Sequence, residues 1–143
     1  MPPLVRRYLK TAIAFLALGL AIGGWLLVAL EYGLRFPARV MSAHTHVILV
    51  GFVMMMICGV ALWMFPRPAK DDASYKPARA EWAYWLLTVG TAVRAVAELL
   101  TGVEASPVMR TIIVAAGLAQ VAGLLLFFWT MLPRIRSTIP PGG

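Results

Sequence analysis

Four long apolar runs, separated by charged or proline-rich segments, constrain the fold of this chain more than any other feature. A helix needs roughly 20 residues to cross a hydrocarbon core of about 30 Å, and apolar runs of that length lie at about 11–31, 42–65, 81–101 and 111–132. The second and fourth runs contain no charged residue, and 61% of the 143 residues are hydrophobic. Backbone in lipid must satisfy its own hydrogen bonds, which favours helices for runs of this length. The sequence therefore predicts an all-α integral membrane protein, a four-helix bundle that forms one domain over residues 1–143.

The distribution of Lys and Arg predicts the orientation of the spans. Most of these residues lie in the amino-terminal segment, the second loop and the carboxy-terminal segment: Arg6, Arg7, Lys10, Arg67, Lys70, Lys76, Arg79, Arg134 and Arg136. Only Arg35, Arg39 and Arg110 lie in the first and third loops. The positive-inside rule then places both termini on the cytoplasmic side of the membrane. We expect that membrane to be a bacterial-type inner (plasma) membrane. This topology and contact with anionic lipid in the bilayer account for the net charge of +7, so no nucleic-acid partner is expected.

Two histidines, His44 and His46, lie where the second apolar run begins, and the chain contains no others. A histidine near hydrocarbon is costly unless something binds it. Residues two apart on a helix point about 200° from one another, so one metal ion can hardly take both ligands from a regular helix. Two sites on opposite faces of the helix can take one histidine each. Imidazole ligates heme iron, copper and zinc alike, so the pair alone does not choose the metal.

The segment around the histidines carries a family resemblance. Ala43-His44-Thr45-His46 is followed by apolar residues, a first glycine, more apolar residues, a second glycine at Gly59, and Trp63-Met64-Phe65-Pro66-Arg67. This order resembles the tenth helix of subunit I of the heme-copper oxidases, a superfamily that includes the nitric oxide reductases. The resemblance implies heme b as cofactor, with His44 on a high-spin, gas-binding heme and His46 on a low-spin heme.

The chain departs from that family in size and in its histidine content. Family subunits have about twelve helices in three groups of four, whereas this sequence predicts four. A homotrimer would restore that outline and a homodimer would give a comparable arrangement, with His44 of one copy and His46 of another holding a heme. The three further histidines of the family's copper centre are absent from the sequence. A full heme-copper site within one chain is therefore excluded, and oxidase activity is not expected.

We expect a heme protein that acts in electron transfer from a respiratory donor or in binding a small gas such as nitric oxide or oxygen. Filled axial positions would favour electron transfer, whereas an open position would favour gas binding. Two other functions remain open. One is a copper-binding or assembly subunit of a respiratory oxidase, in which Met41 and His44, three residues apart, bind copper(I). The other is an accessory subunit without a cofactor.

Charged residues near the depth of the histidines are further site candidates. Arg94 and Glu98 lie four residues apart on one face of the third span, where charges are usually paired or face a cavity. They form either an internal ion pair or a site in which Arg94 neutralises a heme propionate. Arg110, in the third loop, is a second propionate candidate by resemblance to the family, and Arg35 and Arg39 would serve equally well.

Small residues indicate where helices approach closely. Gly19-x-x-x-Gly23 lies in the first span, and Gly51 and Gly59 share a face of the second. Packing within the bundle is the favoured interpretation of these glycines, and self-association is the alternative. Cys58 is interpreted as a small packing residue rather than a redox centre.

Overall fold

The computed structural model describes residues 1–65, 76–101 and 105–135, and over these ranges the chain is almost entirely helical. The helices are α1 (Pro3–Glu31), α2 (Val40–Met64), α3 (Pro77–Leu100) and α4 (Pro107–Ile135). All four are long and apolar enough to cross a membrane. The predicted all-α fold with four helices of membrane-spanning length is therefore confirmed, and the described residues include no strand. Arg67, Lys70, Arg136 and the segment 66–68 lie outside the described residues.

Helix α1 begins eight residues before the predicted span. Pro3 stands at its start, where a missing N–H costs no helical hydrogen bond. The first turns are amphipathic, since Tyr8 is fully buried while Arg6 and Lys10 are exposed. A span predicted from apolar residues alone starts after these charges, at about residue 11, although the helix already includes them.

Buried positions follow the spacing that left-handed helix bundles require. In α1 they alternate at intervals of three and four, and α4 repeats the pattern from Ile113 to Thr130. This spacing keeps one stripe of each helix against its neighbours. Helix α1 packs against α2, α2 against α3, and α3 against α4. The α1 stripe consists of Val5, Tyr8, Ala12, Phe15, Gly19, Ile22, Leu26 and Ala29.

The glycines of α1 face α2 within the same chain. A Cβ atom on Gly19 would clash with a terminal carbon of Ile48, and one on Gly23 would lie 2.7 Å from Cε1 of His44. The two contacts run in opposite directions along the two helices, as in an antiparallel pair. The interpretation of the Gly19-x-x-x-Gly23 motif as packing within the bundle is confirmed.

The glycines of α2 face α1 in the same way. A Cβ on Gly51 would lie 2.7 Å from Cγ of Phe15, and one on Gly59 would lie 2.9 Å from a methyl carbon of Leu9. Large side chains of one helix thus sit on glycines of the other along the whole α1–α2 contact. Such close approach is how membrane helices gain packing energy when no hydrophobic force acts between them.

We expect Gly51→Ala to destabilise the protein by about 1–3 kcal/mol, the usual cost of overpacking a close contact. The added methyl group would lie 2.9 Å from Cβ of Phe15, an atom that cannot move without the α1 backbone. Thermal unfolding in detergent measures the effect. Gly24→Ala is the matched control, because nothing lies within 4 Å of a Cβ on Gly24. Equal melting temperatures for the two variants would contradict the tight α1–α2 contact.

Aromatic packing holds three helices together at the amino-terminal end of α1. The Tyr8 ring meets those of Tyr84 and Phe127 edge to face, at centroid distances of 5.1 and 5.9 Å. Its hydroxyl donates a hydrogen bond of 2.9 Å to the carbonyl oxygen of Ala80. This cluster fixes α1, α3 and α4 at one end and leaves the histidines at the other.

Candidate functional site

His44 lies between α2 and α1, at the end of the bundle where α1 finishes and α2 begins; we call this the histidine end. Its ring is partly buried against Gly23, where the absence of a side chain lets α1 approach. The Nδ1 atom of His44 is 3.0 Å from the carbonyl oxygen of Gly19. The ring is therefore held by the backbone of a different helix from its own.

His46 is held in another way. Its Nδ1 atom is 2.9 Å from the carbonyl oxygen of Ser42, one turn earlier on α2. The ring is also partly buried. The two histidines thus have separate backbone acceptors, one on α1 and one on α2.

These hydrogen bonds determine which ring nitrogen carries the proton. A carbonyl oxygen only accepts, so in a neutral ring the proton lies on Nδ1 of each histidine. The Nε2 atoms of both His44 and His46 then carry a free lone pair. A donated Nδ1–H with an open Nε2 is the usual arrangement of a histidine that ligates a metal, because the hydrogen bond fixes both tautomer and ring orientation.

The backbone of α2 changes its helical type directly after His46. Residues Val40–His46 are α-helical, Val47–Met54 form a π-helix, and Met55–Met64 are α-helical again. Val47, Val50 and Gly51 are the buried residues of the π-helical segment. π-Helical turns are rare in proteins, and those that occur frequently lie at functional sites. The sequence analysis did not predict this segment.

Arg94 and Glu98 are brought together as an ion pair. The distance from Arg94 Nε to Glu98 Oε1 is 3.1 Å. Glu98 is only 1% exposed, and Ser42 donates a hydrogen bond of 2.8 Å from its hydroxyl to the same carboxylate oxygen. The internal ion pair, one of the two alternatives for these residues, is confirmed.

The ion pair belongs to a larger group of buried and partly buried polar side chains. Arg94 Nη1 donates to Oε1 of Gln120 at 3.4 Å, and Gln120 Nε2 donates to Oγ1 of Thr91 at 3.0 Å. Glu98 Oε2 is buried and has no hydrogen-bond partner among the described residues. We call this group the polar cluster; it comprises Ser42, Thr91, Arg94, Glu98 and Gln120 and joins α2, α3 and α4.

Three members of the polar cluster, Ser42, Thr91 and Gln120, were missed by sequence reasoning. Gln120 is the only amide or charged side chain in the fourth apolar run, and a lone polar residue in such a run is a signal for an interhelical hydrogen bond. Ser42 gave no comparable signal, because its role depends on the register of α2 against α3.

The remaining site candidates also lie at the histidine end. Arg110, near the start of α4, donates from Nε to the carbonyl oxygen of Ala105 at 3.0 Å. Arg35 is exposed in the connection between α1 and α2, and Met41 is 51% exposed. The roles of Arg94 and Arg110 toward a heme propionate, and of Met41 toward copper, stay predictions.

Within the part of the chain that the structure describes, no group of three or more His, Cys, Asp or Glu side chains is placed to hold a metal ion. Comparison of the chain with protein-family models, with curated proteins and with solved structures finds no match.

Proposed function

We propose that this chain is a membrane protein that binds heme b through Nε2 of His44 and His46. One observation carries the proposal: each Nδ1 atom is at hydrogen-bond distance from a backbone carbonyl oxygen, which leaves each Nε2 lone pair free for iron. A bound heme would supply a one-electron ferric/ferrous couple.

The donor set fits this cofactor. Porphyrin supplies four nitrogen ligands, so the protein needs to provide only axial ones, and neutral imidazole is a common axial ligand. The rings are partly buried at the mouth of a helix long and apolar enough to span a membrane. Binding a ligand there would offset the cost of placing imidazole near hydrocarbon.

The histidine count bears on how many copies form a site. The chain has two histidines, and residues two apart on a helix point about 200° from one another. A heme with imidazole on both sides therefore takes its two ligands from two copies, and we propose His44 of one copy and His46 of another, in a homotrimer or a homodimer. Such a heme suits electron transfer, since both axial positions are filled; a single axial histidine leaves the other side of the iron for nitric oxide or oxygen.

A reduced-minus-oxidised absorption spectrum of the detergent-purified protein, expressed with ample heme, tests the proposal. We expect a sharp α band and a shifted Soret band. The heme-to-chain ratio should be close to the number of heme sites per chain. A flat spectrum would overturn the proposal. If the sample with the flat spectrum contains bound copper, and Met41→Ala removes that copper, the copper-binding alternative is supported instead.

A further inference from the structure

We propose that Glu98 is a positioning residue for His46, and that its negative charge lowers the reduction potential of iron bound there. Ser42 transmits the effect. This inference rests on the proposed function, because it concerns the same iron.

The link between the two residues consists of two hydrogen bonds made by Ser42. Its carbonyl oxygen accepts from Nδ1 of His46 at 2.9 Å. Its hydroxyl donates to Oε1 of Glu98 at 2.8 Å. Only one residue therefore separates the buried carboxylate of α3 from the imidazole of α2. His44, by contrast, is anchored to Gly19 on α1.

Burial limits the screening of the charge on Glu98. The side chain is 2% exposed, so water screens it little. Arg94 and Ser42 both bond to Oε1, whereas Oε2 has no partner among the described residues. The carboxylate thus pairs with Arg94 through Oε1 and keeps Oε2 buried without a hydrogen-bond partner among the described residues. A carboxylate that accepts directly from a ligating histidine raises the basicity of the imidazole and favours the more positive oxidation state of the metal. Here Ser42 stands between the carboxylate and the imidazole, so the effect is transmitted through its two hydrogen bonds.

Glu98→Gln keeps the shape of the side chain and removes its charge. We expect the ferric/ferrous equilibrium to shift at least tenfold toward the ferrous form, a rise in midpoint potential of about 59 mV for a one-electron couple. An optical redox titration measures this. Arg94→Gln/Glu98→Gln restores the net charge of the pair, so its potential should fall back toward that of the native protein.

Glu81→Gln is the matched control. It makes the same chemical change in an ion pair with Arg7, at 2.7 Å, but the pair is exposed and lies at the opposite end of the bundle from the histidines. We expect its midpoint potential to equal that of the native protein. A shift as large as that of Glu98→Gln would mean that the iron responds to net charge alone and would overturn the inference.

Ser42→Ala tests the link without changing any charge, and it also serves if Glu98→Gln does not fold. We expect a smaller rise in potential, because the hydroxyl bond to Glu98 is lost while the carbonyl bond to His46 stays. Native potentials in folded Glu98→Gln, or in Ser42→Ala, with an unchanged heme spectrum would overturn the inference and leave the proposed function standing. A colourless native protein would overturn the proposed function itself.

Discussion

Replacing both histidines, in His44→Ala/His46→Ala, is expected to reduce bound heme at least tenfold and to abolish the Soret band. The chain contains no other histidine, so the double variant loses both proposed iron ligands together. The measurement is the heme content per chain of the purified variant, determined from its absorption spectrum.

The two single variants distinguish between a heme shared by two copies and two separate sites. If His44 of one copy and His46 of another hold the same iron, each single variant removes one ligand from every heme. Low-spin spectra would then change to high-spin spectra throughout the sample. If each histidine has its own heme, each single variant would instead lose about half of the heme and leave the remaining spectrum unaltered.

Thr45→Ala is the matched control for these variants. Thr45 lies between the histidines, is exposed, and bonds only to the Met41 carbonyl of its own helix among its described contacts. We expect a native spectrum and native heme content. A double histidine variant that keeps the Soret band would show that the cofactor is bound elsewhere.

The architecture could be predicted from the sequence because lipid imposes a simple rule on backbone hydrogen bonds. Apolar runs of the required length became helices, and Gly19 and Gly23 became close contacts, since small residues are where membrane helices approach. Arg94 and Glu98 could also be paired from their spacing, because residues four apart lie on one face.

The parts that could not be predicted depend on how one helix is placed against another. The bond from His44 to the Gly19 carbonyl requires the antiparallel register of α1 and α2, and the place of Ser42 in the polar cluster requires that of α2 and α3. Neither register is set by a local pattern. The π-helical segment after His46 is equally hidden, because its residues are apolar in every direction.

The second large effect is expected for Arg94→Leu, which leaves Glu98 as a buried charge without its cation. Removing one partner of a buried ion pair destabilises a protein by about 3–5 kcal/mol, because the remaining charge is no longer compensated. Glu98 Oε2 already has no partner among the described residues, so Ser42 alone would bond to the carboxylate. Unfolding of the detergent-solubilised protein, followed by circular dichroism, measures the loss.

Arg7→Leu controls for the loss of a cation as such. Its ion pair with Glu81 is about half exposed, and exposed pairs contribute only about 0–1 kcal/mol. The double variant Arg94→Leu/Glu98→Leu removes both buried charges, and we expect it to recover most of the stability lost in Arg94→Leu, since apolar replacements of a whole buried pair are often neutral. If Arg94→Leu is no less stable than Arg7→Leu, the buried pair contributes no more stability than the exposed one, contrary to this prediction.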